Sequence, residues 1–375
     1  MFYSVDVSEG KRDLSRIVAD AADALRAGGF VILTGSRGGV PQGHLVVAAE
    51  HATADALNFM SRHGKGIVSV SLTAEQFDRL GLQPMTRPSV TMYGASVGVS
   101  IEAREGVGTG ISTADRARTI AVASSPDSRP GDLIQPGHVI PLRAARHGVL
   151  ERAGRTEAAV DLALFAGLRP AAAVCEVLGA SGDVASLDEL NVLGADHGIP
   201  TLAVEELVEY LLCTERLVER VGEEQLPTRH GAFTCVTLRG RLAGGTHVAL
   251  VRGDPSAEPV VMIHRECIAG ALGATACRCE GLLTGKLERA GRERDAVLVV
   301  VGRDLETTTV LHAHQSDAVV DELDFGGRPT VSDDAVAAQI LAELGVRSLV
   351  LVGADGDATG GFQSRGLVTI RHEPL

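Results

Sequence analysis

The sequence predicts an α/β chain in two parts, an N-terminal α/β unit followed by an α+β unit. Apolar runs of strand length alternate with amphipathic helical patterns from the start to about residue 212. A charged stretch with one Pro and two Gly, TERLVERVGEEQLPTRHGAF (214–233), then interrupts that periodicity, and beyond it apolar and polar residues alternate as in antiparallel strands. The length of 375 residues suits two domains at roughly 150 residues each. The expected organisation is 1–213, a linker at 214–233, and 234–375.

Each element has its own signal. After Asp13, a suitable N-cap, Leu14, Ile17, Val18, Ala21, Ala22 and Leu25 recur at helical spacing, and Gly28 and Gly29 stop the pattern. FVILT (30–34) is a short apolar run. Residues 44–64 read as a strand end followed by a helix starting near Thr53. EAAVDLALFAGL (157–168) is a helix, PAAAVCEVL (170–178) a strand, and SLDELNVLGADHG (186–198) a second helix, before PTLAVEELVEYLL. Past the linker, TCVTLRGRL and THVALVRGD alternate as antiparallel strands and VVMIH (260–264) follows. DAVAAQILAELGV (334–346) is helical, RSLVLVG (347–353) is a buried strand, and Asp355-Gly356 suits a turn.

Composition excludes several classes of function. A net charge of −13 repels a phosphate backbone, and with no Trp, three Tyr and eight Phe there are few platforms for stacked bases, so nucleic acid is not an expected partner. No apolar run approaches the roughly 18 residues of a membrane span, and the opening MFYSVDVSEGKRD lacks the order of a signal peptide. A soluble cytoplasmic protein without membrane contact is expected. Six cysteines are too sparse for a disulfide scaffold, and only Cys267, Cys277 and Cys279 cluster.

Several segments resemble the bifunctional riboflavin enzymes that join a 3,4-dihydroxy-2-butanone 4-phosphate synthase to a GTP cyclohydrolase II. The first part carries the resemblance in HLVVAAEHATADALNFMSRHGKGIVSVSLT, EAREGVGTGISTADRARTI (102–120), QPGHVIPLRA (135–144) and GRTEAAVDLALFAGLRPAAAVCEVL (154–178). The second carries it in LPTRHGAF, HVALVRGD, HRECIAGALGATACRC and AAQILAELGV. It covers nearly the whole chain and implies the family's fold, dimerisation and small phosphorylated substrates.

The synthase reaction splits formate from ribulose 5-phosphate through enediol chemistry, with divalent metal polarising the sugar oxygens. The family's Arg-Glu-x-Glu-Gly-Asp loop is here Gly39-Val40-Pro41-Gln42-Gly43-His44, so Val40 stands where the metal-bearing carboxylate belongs. The ligating histidine of its Arg-x-Gly-His-Thr-Glu segment is Arg155, and a guanidinium offers no lone pair to magnesium. The resemblance therefore implies that the magnesium site is lost. It carries over His138 and Glu176 as the proton-transfer residues. Arg152, Gly154 and Thr156 match the sugar-phosphate segment, and Thr109, Asp115 and Arg116 the Thr-Gly-Ile-Ser-x-x-Asp-Arg loop. Arg155 adds a cation that can hold phosphate or an enolate oxygen. His44 reads either as a neutral hydrogen-bonding residue or as part of a new metal site with His138 and Glu176.

In the second part, Cys267, Cys277 and Cys279 match the family's three zinc thiolates, although nine residues rather than ten separate the first two. Other motif residues are replaced. Met262-Ile263-His264-Arg265-Glu266 lacks the first arginine of the phosphate strand but keeps Glu266. The guanine-binding Arg-Gln-Glu-Gly-Arg segment is absent around VVGRDLETTT (300–309). Thr330-Val331-Ser332 stands in place of the catalytic Asp-x-Arg. His312 and His314 form an isolated His-x-His in a polar stretch.

Three readings follow. In the first, the N-terminal pocket performs metal-independent enolisation or elimination on a sugar phosphate, with the C-terminal part as support. In the second, the chain is a non-catalytic paralogue that binds or stabilises another riboflavin-pathway subunit. In the third, a standard activity persists on substitute residues. For the cysteines the expectation is common to all: elemental analysis of the purified protein should find about one zinc per chain. Cys279→Ala should abolish it, and zinc unchanged in that variant would refute the assignment.

Overall fold

The predicted alternation of strand and helix is realised in a computed structural model that describes residues 14–37, 40–85, 96–241, 245–266, 279–302, 331–353, 362 and 365–375. Two units divide the chain at Tyr210/Leu211.

In the first unit α1 (Leu14–Arg26) precedes β1 (Val31–Arg37) and β2 (Val40–Ala48), followed by α2 (Ala54–Phe59), β3 (Lys65–Leu72) and α3 (Ala74–Arg79). Then come β4 (Ser96–Val97), β5 (Ile101–Ala103), α4 (Thr113–Ser124), β6 (Leu133–Arg143) and α5 (Arg155–Phe165). β7 (Ala171–Val177), α6 (Leu187–His197), β8 (Thr201–Ala203) and α7 (Val204–Thr214) complete the series. Local signals set the helix ends. The face of α1 predicted from spacing buries Val18, Ala21, Ala22 and Leu25, and Thr53 caps α2 by accepting from the Ala56 N–H.

The strands form one mixed sheet, ordered β4-β6-β3-β7-β2-β1-β8, with β5 on β6. Its two faces separate structure from chemistry. One carries Ile32, Leu45, Val47, Val68, Val70, Ala173 and Cys175, which pack with Leu57, Ile120 and Ala123 of α2 and α4 into the core. On the other, α5 packs against β1, β2, β3 and β7. Antiparallel β2 and β7 pair Val46 with Val174 and His44 with Glu176, so those four side chains share the α5 face.

The second unit contains β9 (Val218–Thr228), β10 (Gly231–Gly240), β11 (Thr246–Arg252), β12 (Val260–Arg265), α8 (Cys279–Arg292), β13 (Ala296–Val301), α9 (Asp333–Glu343), β14 (Ser348–Val352) and β15 (Val368–Glu373). Its sheet runs β15-β14-β12-β13-β11-β10-β9, parallel from β15 to β13 and antiparallel from there. The expected turn at Asp355-Gly356 lies outside the described residues.

The segment 214–233 departs from the expected linker. Most of it is β9, paired with β10 from Val218 opposite Gly240 to Thr228 opposite Gly231. It escapes a periodicity test because it is an edge strand whose residues after Val218 are exposed up to Pro227, leaving no apolar alternation to detect. Backbone pairing holds one side of it. Its start is held by buried Gln339 of α9, whose Oε1 accepts from the Leu217 and Val218 N–H groups while Nε2 donates to the Glu215 carbonyl at 2.8 Å.

Gln339→Leu keeps the volume but strands two backbone donors and an acceptor. Urea unfolding should show the second unit destabilised by about 2–4 kcal/mol, and a loss under 0.5 kcal/mol (roughly the level of a neutral surface change) would contradict this anchoring role.

Candidate functional site

The α5 face of the first sheet gathers most of the predicted site residues. Gly154 is the N-cap of α5, and a Cβ there would lie 2.2 Å from Glu157 Oε2, so the approach of helix to carboxylate requires glycine. Arg155 and Thr156 open the helix. From there the Arg155 guanidinium donates to Gln42 Oε1 on β2, and a side chain on Gly35 of β1 would come within 3.8 Å of its Nη1. These two residues stand where the resemblance puts a metal-binding histidine and a glutamate; here they are hydrogen-bonded to each other.

His44 lies two residues along β2 from Gln42, on the same face and directly opposite Glu176. Its ring is half-buried, and Nδ1 is buried with no hydrogen-bond partner among the described residues. Burial, then the Arg155 cation, push its pKa down to about 3, so the ring is neutral at physiological pH.

His138 completes this face. Val139 pairs with core Ile101, and Ile140 with Ser69, which pairs with Val174, so alternation turns His138 toward the side bearing Glu176. Its Nδ1 lies 2.7 Å from Oε2 of nearly buried Glu102 on β5. The contact orients the imidazole and supports a proton on Nδ1. Glu102 is a site residue that sequence reasoning passed over, although it opens the EAREGVGTG segment. The loop above it explains that motif. Asp115 accepts from the Gly108 and Gly110 N–H groups, both at 3.0 Å. Gly110, at φ +85°, lies so close to Glu102 that a Cβ would fall 2.1 Å from the carboxylate. Thr109, between the two glycines, is exposed. Asp115 thus holds the loop, and its backbone hydrogen bonds, led by Gly108, keep its carboxyl below the usual range.

Two predicted binding residues stand elsewhere. Arg116 on α4 donates to Ser61 Oγ at 3.2 Å and lies near Cys175, on the opposite, core-packed face. Arg152 donates to the Arg143 carbonyl and pairs with fully buried Glu157, which also accepts from the Ala145 N–H at 2.9 Å. That pair braces the turn into α5. Buried Cys175, its pKa raised to about 11, is a packing thiol and no nucleophile at neutral pH.

The group fits magnesium poorly. Magnesium calls for oxygen donors, chiefly carboxylates, whereas Val40 stands in place of the ligating carboxylate and Arg155 in place of the ligating histidine, its guanidinium donating to the Gln42 amide beside neutral His44. Among the described residues no three His, Cys, Asp or Glu side chains converge as a metal-binding group, so the alternative of His44, His138 and Glu176 as one metal site is not assembled.

In the second unit, Cys267, Cys277, His312, His314 and Thr330 lie outside the described residues, as does the side chain of Cys279, which opens α8. Ser332 caps α9, its Oγ accepting from the Ala335 N–H at 3.2 Å. Arg265 pairs with Asp333 at the same helix end. His264 is buried, and desolvation, reinforced by Lys286, holds its pKa down to about 4. No helix among the described residues is long and apolar enough to cross a membrane.

Comparison with known proteins matches residues 19–210 to the family model of 3,4-dihydroxy-2-butanone 4-phosphate synthase and residues 219–373 to that of GTP cyclohydrolase II. The riboflavin biosynthesis protein RibBA of Nocardia farcinica is 38% identical over 96% of this chain and 90% of its own length. That of Aquifex aeolicus is 37% identical over 98% and 94%. Among solved structures, RibBX from A. baumannii, described as a two-domain 3,4-dihydroxy-2-butanone 4-phosphate synthase, is similar with TM-score 0.73 and 30% identity, covering 95% of this chain and 98% of that one. A 3,4-dihydroxy-2-butanone 4-phosphate synthase in complex with two magnesium ions matches with TM-score 0.50 and 31% identity, over 53% of this chain and 97% of its own.

The neutrality of His44 has a thermodynamic signature. Its folded pKa of about 3 lies below the ordinary histidine value of 6.5, so between those values the unfolded chain binds a proton that the folded chain refuses. Its contribution to stability is present above pH 6.5 and is lost as pH falls toward 3, at up to about 1.4 kcal/mol per unit. Denaturant unfolding at several pH values should show a shallower acid-side loss in His44→Gln than in wild type. Identical slopes would mean that His44 titrates normally in the folded protein.

Proposed function

The chain belongs to the bifunctional riboflavin biosynthesis family of 3,4-dihydroxy-2-butanone 4-phosphate synthase joined to GTP cyclohydrolase II, and on that premise we propose that its N-terminal part acts on a small phosphorylated sugar by metal-independent enolisation or elimination. One observation carries the reading: Arg155, in place of the metal-binding histidine, is hydrogen-bonded to Gln42 beside neutral His44, while Val40 stands for the metal-bearing carboxylate. A cation thus stands where an ion's charge would otherwise be needed, and neighbouring proton-transfer groups remain.

In this mechanism the N-terminus of α5, with Gly154 and Thr156, receives the phosphate. Glu176 serves as base next to the carbonyl. His138, oriented by Glu102, delivers a proton to the leaving or rearranging oxygen. Thr109, on the loop held by Asp115, faces solvent where substrate enters. Arg152 and Arg116 act by positioning: one braces the entry to α5, the other braces α4. Arg155 offsets the anionic charge of substrate and intermediate.

The GTP cyclohydrolase II-like part serves as support without opening GTP, because Ser332 caps a helix in place of the family's catalytic pair. Cys267, Cys277 and Cys279 hold a zinc of structural role. A homodimer in the cytoplasm accords with the family's habit.

Ribulose 5-phosphate with magnesium should yield no formate and no dihydroxybutanone phosphate, and robust turnover would overturn the reading. By calorimetry in EDTA, wild type should bind the sugar phosphate, and Arg155→Ala should weaken binding by about 2–3 kcal/mol. Arg155→His should not restore magnesium dependence. Equal affinities in wild type and both variants, all folded, would favour the non-catalytic paralogue.

A further inference from the structure

We propose that His44 is itself a catalytic residue: a neutral imidazole whose Nε2–H donates to the substrate carbonyl oxygen while Glu176, its cross-strand neighbour, takes the adjacent C–H proton. This rests on the preceding reading of the pocket and names the group that replaces a metal as electrophile.

Three observations converge. The first is register. Residues directly opposed in an antiparallel pair have Cβ atoms about 4.5–5.5 Å apart, and His44 and Glu176 are so opposed, on the face where α5 begins. A carboxylate and an imidazole at that separation can engage the α-carbon and the carbonyl oxygen of one substrate.

The second is the tautomer. A proton on buried, partnerless Nδ1 would be an unsatisfied donor, whereas a bare lone pair there is the lesser cost. The proton therefore belongs on Nε2, and with Nδ1 enclosed the remaining access to the half-buried ring includes that edge. The third is charge. The Arg155 guanidinium sits close enough to disfavour an imidazolium, and burial acts in the same sense. The aspartate that the family's loop carries at this position is an acceptor when ionised; His44 is a donor. The exchange therefore reverses the hydrogen-bond polarity at one position while Arg155 supplies fixed positive charge beside it.

The chemistry balances without metal or redox partner. Glu176 carboxylate accepts the proton from the carbon next to the carbonyl. The C–H electron pair becomes the C=C bond of the enediolate, and the carbonyl π pair moves onto oxygen, where Nε2–H and the guanidinium charge hold it. In the reverse direction the protonated Glu176 returns a proton to carbon, or a deuteron after exchange with D2O. A weak acid matched to a developing enediolate stabilises it better than an imidazolium that has already committed its charge to the ground state.

The test is deuterium incorporation from D2O into ribulose 5-phosphate in EDTA, followed by NMR, with sugar-phosphate affinity measured by calorimetry in parallel. Wild type should exchange. His44→Phe should lose roughly 100-fold or more in exchange, the scale for removing one oxyanion donor, with affinity within a few fold of wild type. His44→Gln, which keeps a donor, should recover part of the rate. Nitrogen-15 NMR of wild type should show His44 neutral and protonated on Nε2 at pH 5.

Exchange in His44→Phe equal to wild type would overturn the assignment to His44 and leave the sugar-phosphate reading standing. Wild type that binds but does not exchange would remove both. An imidazolium at pH 5 would overturn the electrophile role whatever the rates.

Discussion

The register of β2 against β7 is the constraint on which the site depends. Slipping β2 by one residue against β7 would place Leu45 on the α5 face and turn His44 into the core, away from Glu176. On the other side of β7, two glycines allow β3 to approach closely. A Cβ on Gly64 would lie 2.8 Å from Cys175 Sγ, and one on Gly66 would lie 2.4 Å from the Glu176 carbonyl oxygen. β3 passes β7 with an irregularity between Lys65 and Val68, where that close approach occurs. The chemistry-bearing face is thus a by-product of how tightly the opposite face packs.

Within that frame the site is organised by charge compensation. A guanidinium near a histidine is unfavourable unless the histidine stays neutral and the guanidinium finds an acceptor. Gln42 supplies the acceptor, and burial keeps His44 neutral. Glu157 performs the corresponding task for Arg152, and Glu102 for His138. Two of these carboxylates are also fixed against the local backbone: Gly110 lies over Glu102, and the Ala145 N–H donates to Glu157.

The fold was legible in the sequence wherever burial or capping leaves a pattern in residue type. The apolar face of α1, the cap at Thr53 and the apolar run of β7 each follow from spacing and residue type. β9 was not, because an exposed edge strand carries no alternation. At the site, Arg155, His44, His138 and Glu176 could be singled out by motif position, but their partners could not. Gln42 reads as an ordinary loss of charge until Arg155 is seen to donate to it. Glu102 lies 36 residues before His138 and becomes its neighbour only because β5 folds onto β6. Arg116 shows the converse: its motif sits beside the site, yet the helical turn directs its side chain to Ser61.

The same property that hid β9 bears on colloidal behaviour. Among the described residues no strand pairs its outer edge, whose backbone donors and acceptors invite strand addition by another molecule. The exposed Glu219, Arg220, Glu223 and Glu224, with Pro227 near its end, make such addition electrostatically and sterically unfavourable. At the far edge of that sheet, β15 exposes Val368 and Ile370. Val221 and Leu226 are exposed on β9 as well, so what protects that margin from an added strand is its density of charge and its proline rather than a lack of apolar surface.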